Sequence, residues 1–377
     1  MKRHYLAALV TIGVVSSFAY GVAVGHYKFF PFGILVTLKS QIDEPRVYQE
    51  ATFEQQLMQY AFTREAPTTG LIYPAISNSD EVYERNNDIL TPREDYHQAY
   101  DNILIGNAEQ LRFSEIPILR LPFTLNGRRY AAFAYGEAEY PEDCENSRTS
   151  AALIIPGSGN NQSLGIYEND SSNYHYGIIE ALSSLDRVLV QIKPNRDARA
   201  WHNGAGMRVY GDFVYNWQLR MGGSYSVSYL VEALALMKYL NRCNERTVVA
   251  GLSQGGGAAL FVALQASPSQ AIVSSGYSVL SRKVHWAGFS QLMGVPGSEI
   301  IASTDGFISS LRNSATSYLF TWGRAENLYF REEAQNAHTA SLLQQVPNAH
   351  GVSHDGGHIF PVNEIVNFLT SYRTSSN

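Results

Sequence analysis

The stretch "VVAGLSQGGGAALFVAL" (residues 248–264) runs an apolar, β-branched segment straight into Gly-Leu-Ser-Gln-Gly and then into an alanine-rich helix former. The first part suits a strand and the last a helix. Polar Ser253 stands at the tightest point between them. Gly251-Leu252-Ser253-Gln254-Gly255 fits the G-x-S-x-G pattern, a sharp strand-to-helix turn that presents a serine hydroxyl. Glycines two before and two after the serine let neighbouring backbone approach closely. The pentapeptide alone is weakly specific, and its weight comes from the strand before it and the helix after it. The competing reading is a glycine-rich turn that only packs a helix on a sheet.

Serine becomes a useful nucleophile only beside a base, and the base needs a group that orients it. In folds with this turn the chain order is serine, acid, histidine. His285, His338, His350, His354 and His358 follow Ser253. His358 in "HGVSHDGGHIFP" follows two glycines and precedes the last amphipathic segment, so it is expected on a loop at the end of a late strand. His354 is its competitor. A zinc site on His350, His354 and His358 would need a helix, which Gly351, Gly356 and Gly357 oppose; no metal and no cofactor is expected. For the acid, "YLFTWGRAENLYF" puts Glu326 just past a strand ending at Gly323, with Asp305 and Asp355 as alternatives. An oxyanion needs backbone donors. Gln254, after the nucleophile, supplies one, and Ser158 in "LIIPGSGNN" is the candidate for the other.

Around these pieces short apolar runs alternate with helical ones. Residues 151–157, 187–194, 246–251, 270–276 and 317–323 read as strands, and 173–185, 226–241, 258–265 and 361–372 as helices. In the last, Val362, Ile365, Val366 and Leu369 share one face. "EIPILRLPFTLNGRRYAAFAYGEAE" (115–139) carries Asn126-Gly127 between two strand-like runs, the signature of a two-residue hairpin turn. Alternation of this kind implies an α/β fold with a mostly parallel central sheet and helices on both faces.

At the N-terminus Lys2, Arg3 and His4 precede residues 5–25, which carry no charge. That segment is long enough to span a bilayer, and it also holds small-residue sites of signal-peptide type. It is read as either a membrane anchor or a cleaved signal, and both export the bulk of the chain. Residues 26–114 read as an N-terminal extension and 115–377 as the catalytic domain. The net charge of −6 and the absence of a basic tract argue against nucleic acid as a partner. There are two cysteines, Cys144 and Cys243; in an exported chain an even pair suggests one disulfide.

From about residue 115 onward the chain resembles the α/β-hydrolases, and within them exported esterases and dienelactone-hydrolase-like proteins. The resemblance rests on the 116–136 hairpin, Pro156-Gly157-Ser158-Gly159, the Gly251–Gly255 turn, Gly323-x-x-Glu326 and Gly357-His358. Many relatives have histidine where this chain has Pro156, and Asp is commoner than Glu as the acid. The resemblance implies a Ser253–His358–Glu326 triad, an acyl-enzyme intermediate, and a small-molecule, glycan or lipid ester as substrate. It also implies that the strand before Ser158 lies parallel to the strand before Ser253, which brings Cys144 and Cys243 to the same end of the sheet. The long segment between 194 and 225, with Arg196, Arg199, Trp201, Arg208, Tyr210, Tyr215 and Trp217, is expected either to shape the substrate pocket or to pack over the domain. The other readings are a serine peptidase on the same triad and a non-catalytic envelope protein that keeps the fold for binding or assembly.

Overall fold

The computed structural model describes residues 96, 98–113, 116–138, 149–158, 162–193, 225–277, 303–326 and 333–375. Its strands are β1 (Ile103–Ile105), β2 (Glu109–Phe113), β3 (Ile116–Leu125), β4 (Arg128–Tyr135), β5 (Ser150–Ile155), β6 (Arg187–Gln191), β7 (Arg246–Leu252), β8 (Gln270–Ser274), β9 (Ser317–Gly323) and β10 (Ala349–His354). They form one sheet in the order β1-β3-β4-β6-β5-β7-β8-β9-β10, with β2 also paired to β3. From β6 to β10 every pairing is parallel. β1 to β4 pair antiparallel among themselves, and β4 meets β6 antiparallel.

The hairpin forms as expected. Asn126 and Gly127 both take positive φ, 51° and 81°, the conformation a two-residue turn demands. Apolar residues along the central strands alternate between two cores. Leu153, Val249 and Ala271 face one, with α4 (Tyr225–Cys243) and α5 (Gln254–Ala266). Ala152, Ile154, Val248, Ala250 and Ile272 face the other, with α2 (Gln162–Tyr167), α3 (Ile178–Ala181) and α8 (Val362–Ser375). A strand buried on both faces reads as the continuous apolar run seen at 151–155 and 248–252. The one-turn helix α1 (Ala99–Asn102) precedes β1. After β8 come α6 (Thr304–Arg312) and, between β9 and β10, α7 (Glu333–Leu343).

Three expectations change. The sheet reaches back before residue 115, because β1 and β2 add to β3; they are too short, at three and five residues, to show a periodic pattern. The helix expected over 173–185 shrinks to α3. Gly177 at φ 90° precedes it, and the side-chain oxygens of Asn173 and Asn169 accept from the N–H groups of His175 (3.0 Å) and Gly177 (3.1 Å). These side chains offer the backbone turn partners in place of helical ones. On α8, Val366 is exposed, and Phe368 joins Ile365 and Leu369 in the core instead.

Among the described residues no helix is long and apolar enough to cross a membrane. Residues 5–25, most of 26–114, Cys144 and residues 194–224 lie outside them. β5 and β7 are adjacent and parallel, with Ser150 opposite Arg246. The Thr149 hydroxyl donates to the Cys243 carbonyl oxygen (3.5 Å) and to Asn244 Oδ1 (2.8 Å), so the lead-in to β5 lies beside the end of α4. We propose that Cys144 and Cys243 are bridged there. Closing a loop of about 100 residues contributes up to ~4.7 kcal/mol in the chain-entropy model. Intact-mass analysis after alkylation under denaturing conditions should show no alkylated thiol without reductant and two with it. Two alkylated thiols without reductant would rule the bridge out.

Candidate active site

The parallel strands β5 to β10 all end at one edge of the sheet, where ligands bind in open α/β folds. Every candidate residue follows one of these ends: Ser158 after β5, Ser253 and Gln254 after β7, Glu326 after β9 and His358 after β10.

Ser253 has φ 61° and ψ −126°, a conformation L-residues rarely hold, between β7 and α5. Such strain costs about 1–3 kcal/mol and persists only where the surroundings over-determine it. They do so here. A Cβ on Gly251 would lie 2.0 Å from the Gly255 carbonyl oxygen, and one on Gly255 would lie 2.0 Å from that of Ile155. The Ser253 N–H donates to Ser274 O of β8 (2.9 Å), and Gly257 N–H donates to Ser253 O (3.1 Å). The turn is therefore fixed from both sides. Gln254 opens α5, so its N–H belongs to the partly positive helix N-terminus.

His358 Nδ1 lies 3.3 Å from Glu326 Oε2. The Glu326 side chain is 2% exposed and that of His358 34%. The other carboxylate oxygen of Glu326 accepts from Gly323 N–H (2.9 Å) and from the Ser275 hydroxyl. The two loops are sewn together by main chain: Arg324 N–H donates to His354 O (2.9 Å) and Ala325 N–H to Gly356 O (3.0 Å). On its other side the His358 ring stacks on Tyr174, centroids 5.5 Å apart at 29°.

The competing residues are engaged elsewhere. His354 ends β10, is buried, and uses Nδ1 to accept from Gly356 N–H (3.2 Å). Asp355 pairs with Arg324 at the exposed surface. Asp305 lies in the first turn of α6, behind the capping side chain of Ser303. His350 lies on extended β10, and among the described residues no group of three candidate metal ligands gathers.

Several residues of this edge had no signal in the sequence. The Pro156–Ser158 loop is held by four side chains from later in the chain. Pro156 O accepts from the Tyr229 hydroxyl, Gly157 O from Lys193 Nζ (2.6 Å) and Ser158 O from the Tyr174 hydroxyl (2.8 Å). Gly157 N–H donates to His175 Nε2 (2.9 Å). That bond leaves the His175 proton on Nδ1, where Asn173 Oδ1 accepts it (2.9 Å). Gly157 N–H is thereby engaged and is not offered to a ligand. Burial, with lesser contributions from the nearby Lys193 and His358, holds the His175 pKa down to about 3.

The strand order, with β6 outside β5 and the serine turn after the central β7, is that of the α/β-hydrolase fold, and this chain has it. No family model matches the sequence, and no curated protein matches it. Solved structures of similar shape include Est1E from Butyrivibrio proteoclasticus, at 13% identity and TM-score 0.39, covering 71% of this chain and 100% of that one. Acetyl xylan esterase 1 from Thermoanaerobacterium sp. is 12% identical at TM-score 0.41, over 74% of this chain and 91% of its own. A carbohydrate esterase family 15 glucuronoyl esterase from Caldicellulosiruptor kristjansonii is 12% identical at TM-score 0.43, over 81% and 88%.

A buried histidine kept neutral makes stability depend on pH. Its unfolded pKa is near 6.5 and its folded pKa about 3, so below 6.5 the unfolded chain takes up a proton that the fold refuses. Stability from this group is complete above 6.5 and falls as the pH drops toward 3, by up to ~1.4 kcal/mol per pH unit. In His175→Gln, which keeps an acceptor for Gly157 N–H and does not titrate, chemical denaturation between pH 6.5 and 4 should lose stability less steeply than wild type. Equal slopes would show that His175 is not buried in its neutral form.

Proposed function

We propose that the chain is a serine hydrolase that cleaves an acyl ester, with Ser253 as nucleophile, His358 as general base and Glu326 as the carboxylate that orients it. The observation that carries this reading is the Glu326–His358 pair, set at the same sheet edge as a serine held in a strained strand-to-helix turn. A binding surface has no need of that combination.

The chemistry follows from the roles. Ser253 Oγ attacks the acyl carbon, and its proton passes to His358 Nε2. The imidazolium that forms is stabilised through Nδ1–H by the Glu326 carboxylate, which stays ionised. The carbonyl oxygen becomes an oxyanion, received by the N–H groups of Gln254 and Ser158. Collapse of the tetrahedral intermediate expels the alcohol, which takes the proton from His358 and leaves an acyl-Ser253. Water, deprotonated by His358, attacks the acyl carbon and releases the acid, restoring Ser253. Placing this reaction outside the cytoplasm rests on residues 2–25 of the sequence.

Ser253→Ala and His358→Ala should each lower turnover of short p-nitrophenyl esters by at least about 10³-fold, and the double variant should lose little more, because the members act as a unit. Ser253→Ala should also abolish labelling by a fluorophosphonate probe while its thermal unfolding stays cooperative. Wild-type turnover in either variant would sink the assignment.

The acid is tested separately. Glu326→Gln should lower turnover roughly 10²- to 10⁴-fold, whereas Asp305→Asn and Asp355→Asn stay within about threefold of wild type. A crippled Asp305→Asn beside an active Glu326→Gln would move the acid to the loop after β8.

A further inference from the structure

Behind the Pro156–Ser158 loop sits a buried ammonium group. Lys193, two residues past the end of β6, is 3% exposed. Among the described residues no carboxylate pairs with it. Its Nζ donates to Gly157 O (2.6 Å) and to Gln254 Oε1 (3.1 Å), and lies 5.6 Å from the centre of the Tyr229 ring. A cation taken out of water without a counter-anion is strongly disfavoured. Two carbonyl oxygens and an aromatic face offset only part of that cost, and burial accordingly holds its pKa down to about 7.

The two groups Lys193 grips belong to the Gly157–Ser158 peptide and to Gln254, the two sources of the proposed oxyanion donors. A peptide unit is planar and trans, so a carbonyl and the following N–H point in opposite directions. Lys193 draws Gly157 O toward itself, and Ser158 N–H, on the far side of the same peptide, is thereby aimed away from it. The neighbouring unit is fixed in the same manner: Tyr229 holds Pro156 O while His175 accepts from Gly157 N–H. Through the Gln254 side chain the same ammonium holds the first residue of α5.

We propose that Lys193 is the positioning residue of the oxyanion hole, its Nζ tying the Gly157–Ser158 peptide to Gln254. The proposal rests on the serine-hydrolase reading. It also gives the buried cation a purpose. Among the described residues it has no counter-anion, and the negative charge that develops on the substrate oxygen favours its protonated form, so its favourable interaction is greater in the transition state than in the resting enzyme.

The test compares Lys193→Met, of similar length without donor or charge, with Lys193→Gln, which keeps a donor without the charge. Kinetics on a p-nitrophenyl ester are normalised to active sites titrated with a fluorophosphonate. Lys193→Met should lower kcat by about 10²-fold with KM within about threefold, and Lys193→Gln should fall between it and wild type. Hydrogen exchange of a peptide covering residues 152–164 should quicken in Lys193→Met. If Lys193→Met does not fold, the kcat of Lys193→Gln decides. Wild-type kcat per titrated site, or a loss confined to KM, would overturn the role of Lys193 and leave the triad standing. A wild-type chain that hydrolyses no ester and takes up no probe would overturn the serine-hydrolase reading, and the role of Lys193 with it.

Discussion

The backbone of α5 is pressed against the end of β5 with no side chain between them. Gly255 is the point of contact, where even a methyl group would lie 2.0 Å from Ile155 O. Gly251 permits the matching approach on the strand side. These two clearances let β7 turn into α5 within one residue, and they force that residue, Ser253, into its strained conformation. The energy to hold it comes from burial: α5 is apolar almost throughout, and Gly255 to Ala263 are all buried. Roughly 25 cal/mol for each square ångström of apolar surface removed from water easily outweighs one strained residue. The same contact brings the start of α5 beside the loop after β5, so the proposed nucleophile and the proposed oxyanion donors share one rigid junction.

The edge above that junction is polar and buried at once, so each of its groups needs a partner. Main-chain carbonyls do most of this. Those of Pro156, Gly157 and Ser158 each accept from a side chain, and Ser274 O accepts from Ser253 N–H. The charges are segregated. Lys193 stands on the side of the Pro156–Ser158 loop, and Glu326 is gripped by Ser275 and Gly323 on the other. His175, close to Lys193, is held neutral, which spares the loop a second buried cation. His358 lies between these regions with a third of its side chain exposed, a setting that suits the proposed general base.

The parts of this arrangement that were legible in the sequence are those fixed by local spacing. Strand and helix alternation, the Asn126-Gly127 turn, the glycines around Ser253 and the glycines before His358 each leave a mark within a few residues. Gly323-x-x-Glu326 is likewise local, and among the described residues the Glu326 carboxylate lies beside His358. The clamp on the Pro156–Ser158 loop left no such mark. Lys193, Tyr229 and His175 reach it across 36, 73 and 18 residues of chain, and nothing near any of them in sequence says that a loop carbonyl or N–H waits for it. The failure at 173–185 has the opposite cause. The apolar period was present, but asparagine side chains competed for the backbone and Gly177 interrupted it. Short edge strands such as β1 follow from pairing with β3 rather than from their own three residues.

The proposed acid at position 326 is a glutamate where the resemblance leads one to expect aspartate more often, and its surroundings give a reason. Glu326 stands only three residues past the last residue of β9, and its carboxylate folds back so that Oε1 accepts from Gly323 N–H while Oε2 is directed to His358. Three bonds separate the Cα from the carboxylate carbon in glutamate and two in aspartate. The extra methylene is what lets one carboxylate return to the strand end, take the Ser275 hydroxyl, and still present its second oxygen to the imidazole. The backbone bonds from Arg324 and Ala325 to His354 and Gly356 lock the distance between the two loops, so a shorter side chain could not recover the contact by a shift of the main chain. The identity of the proposed acid and the loop geometry are thus one constraint: a strand end that turns away at Gly323, cross-linked to the histidine loop, suits the longer carboxylate.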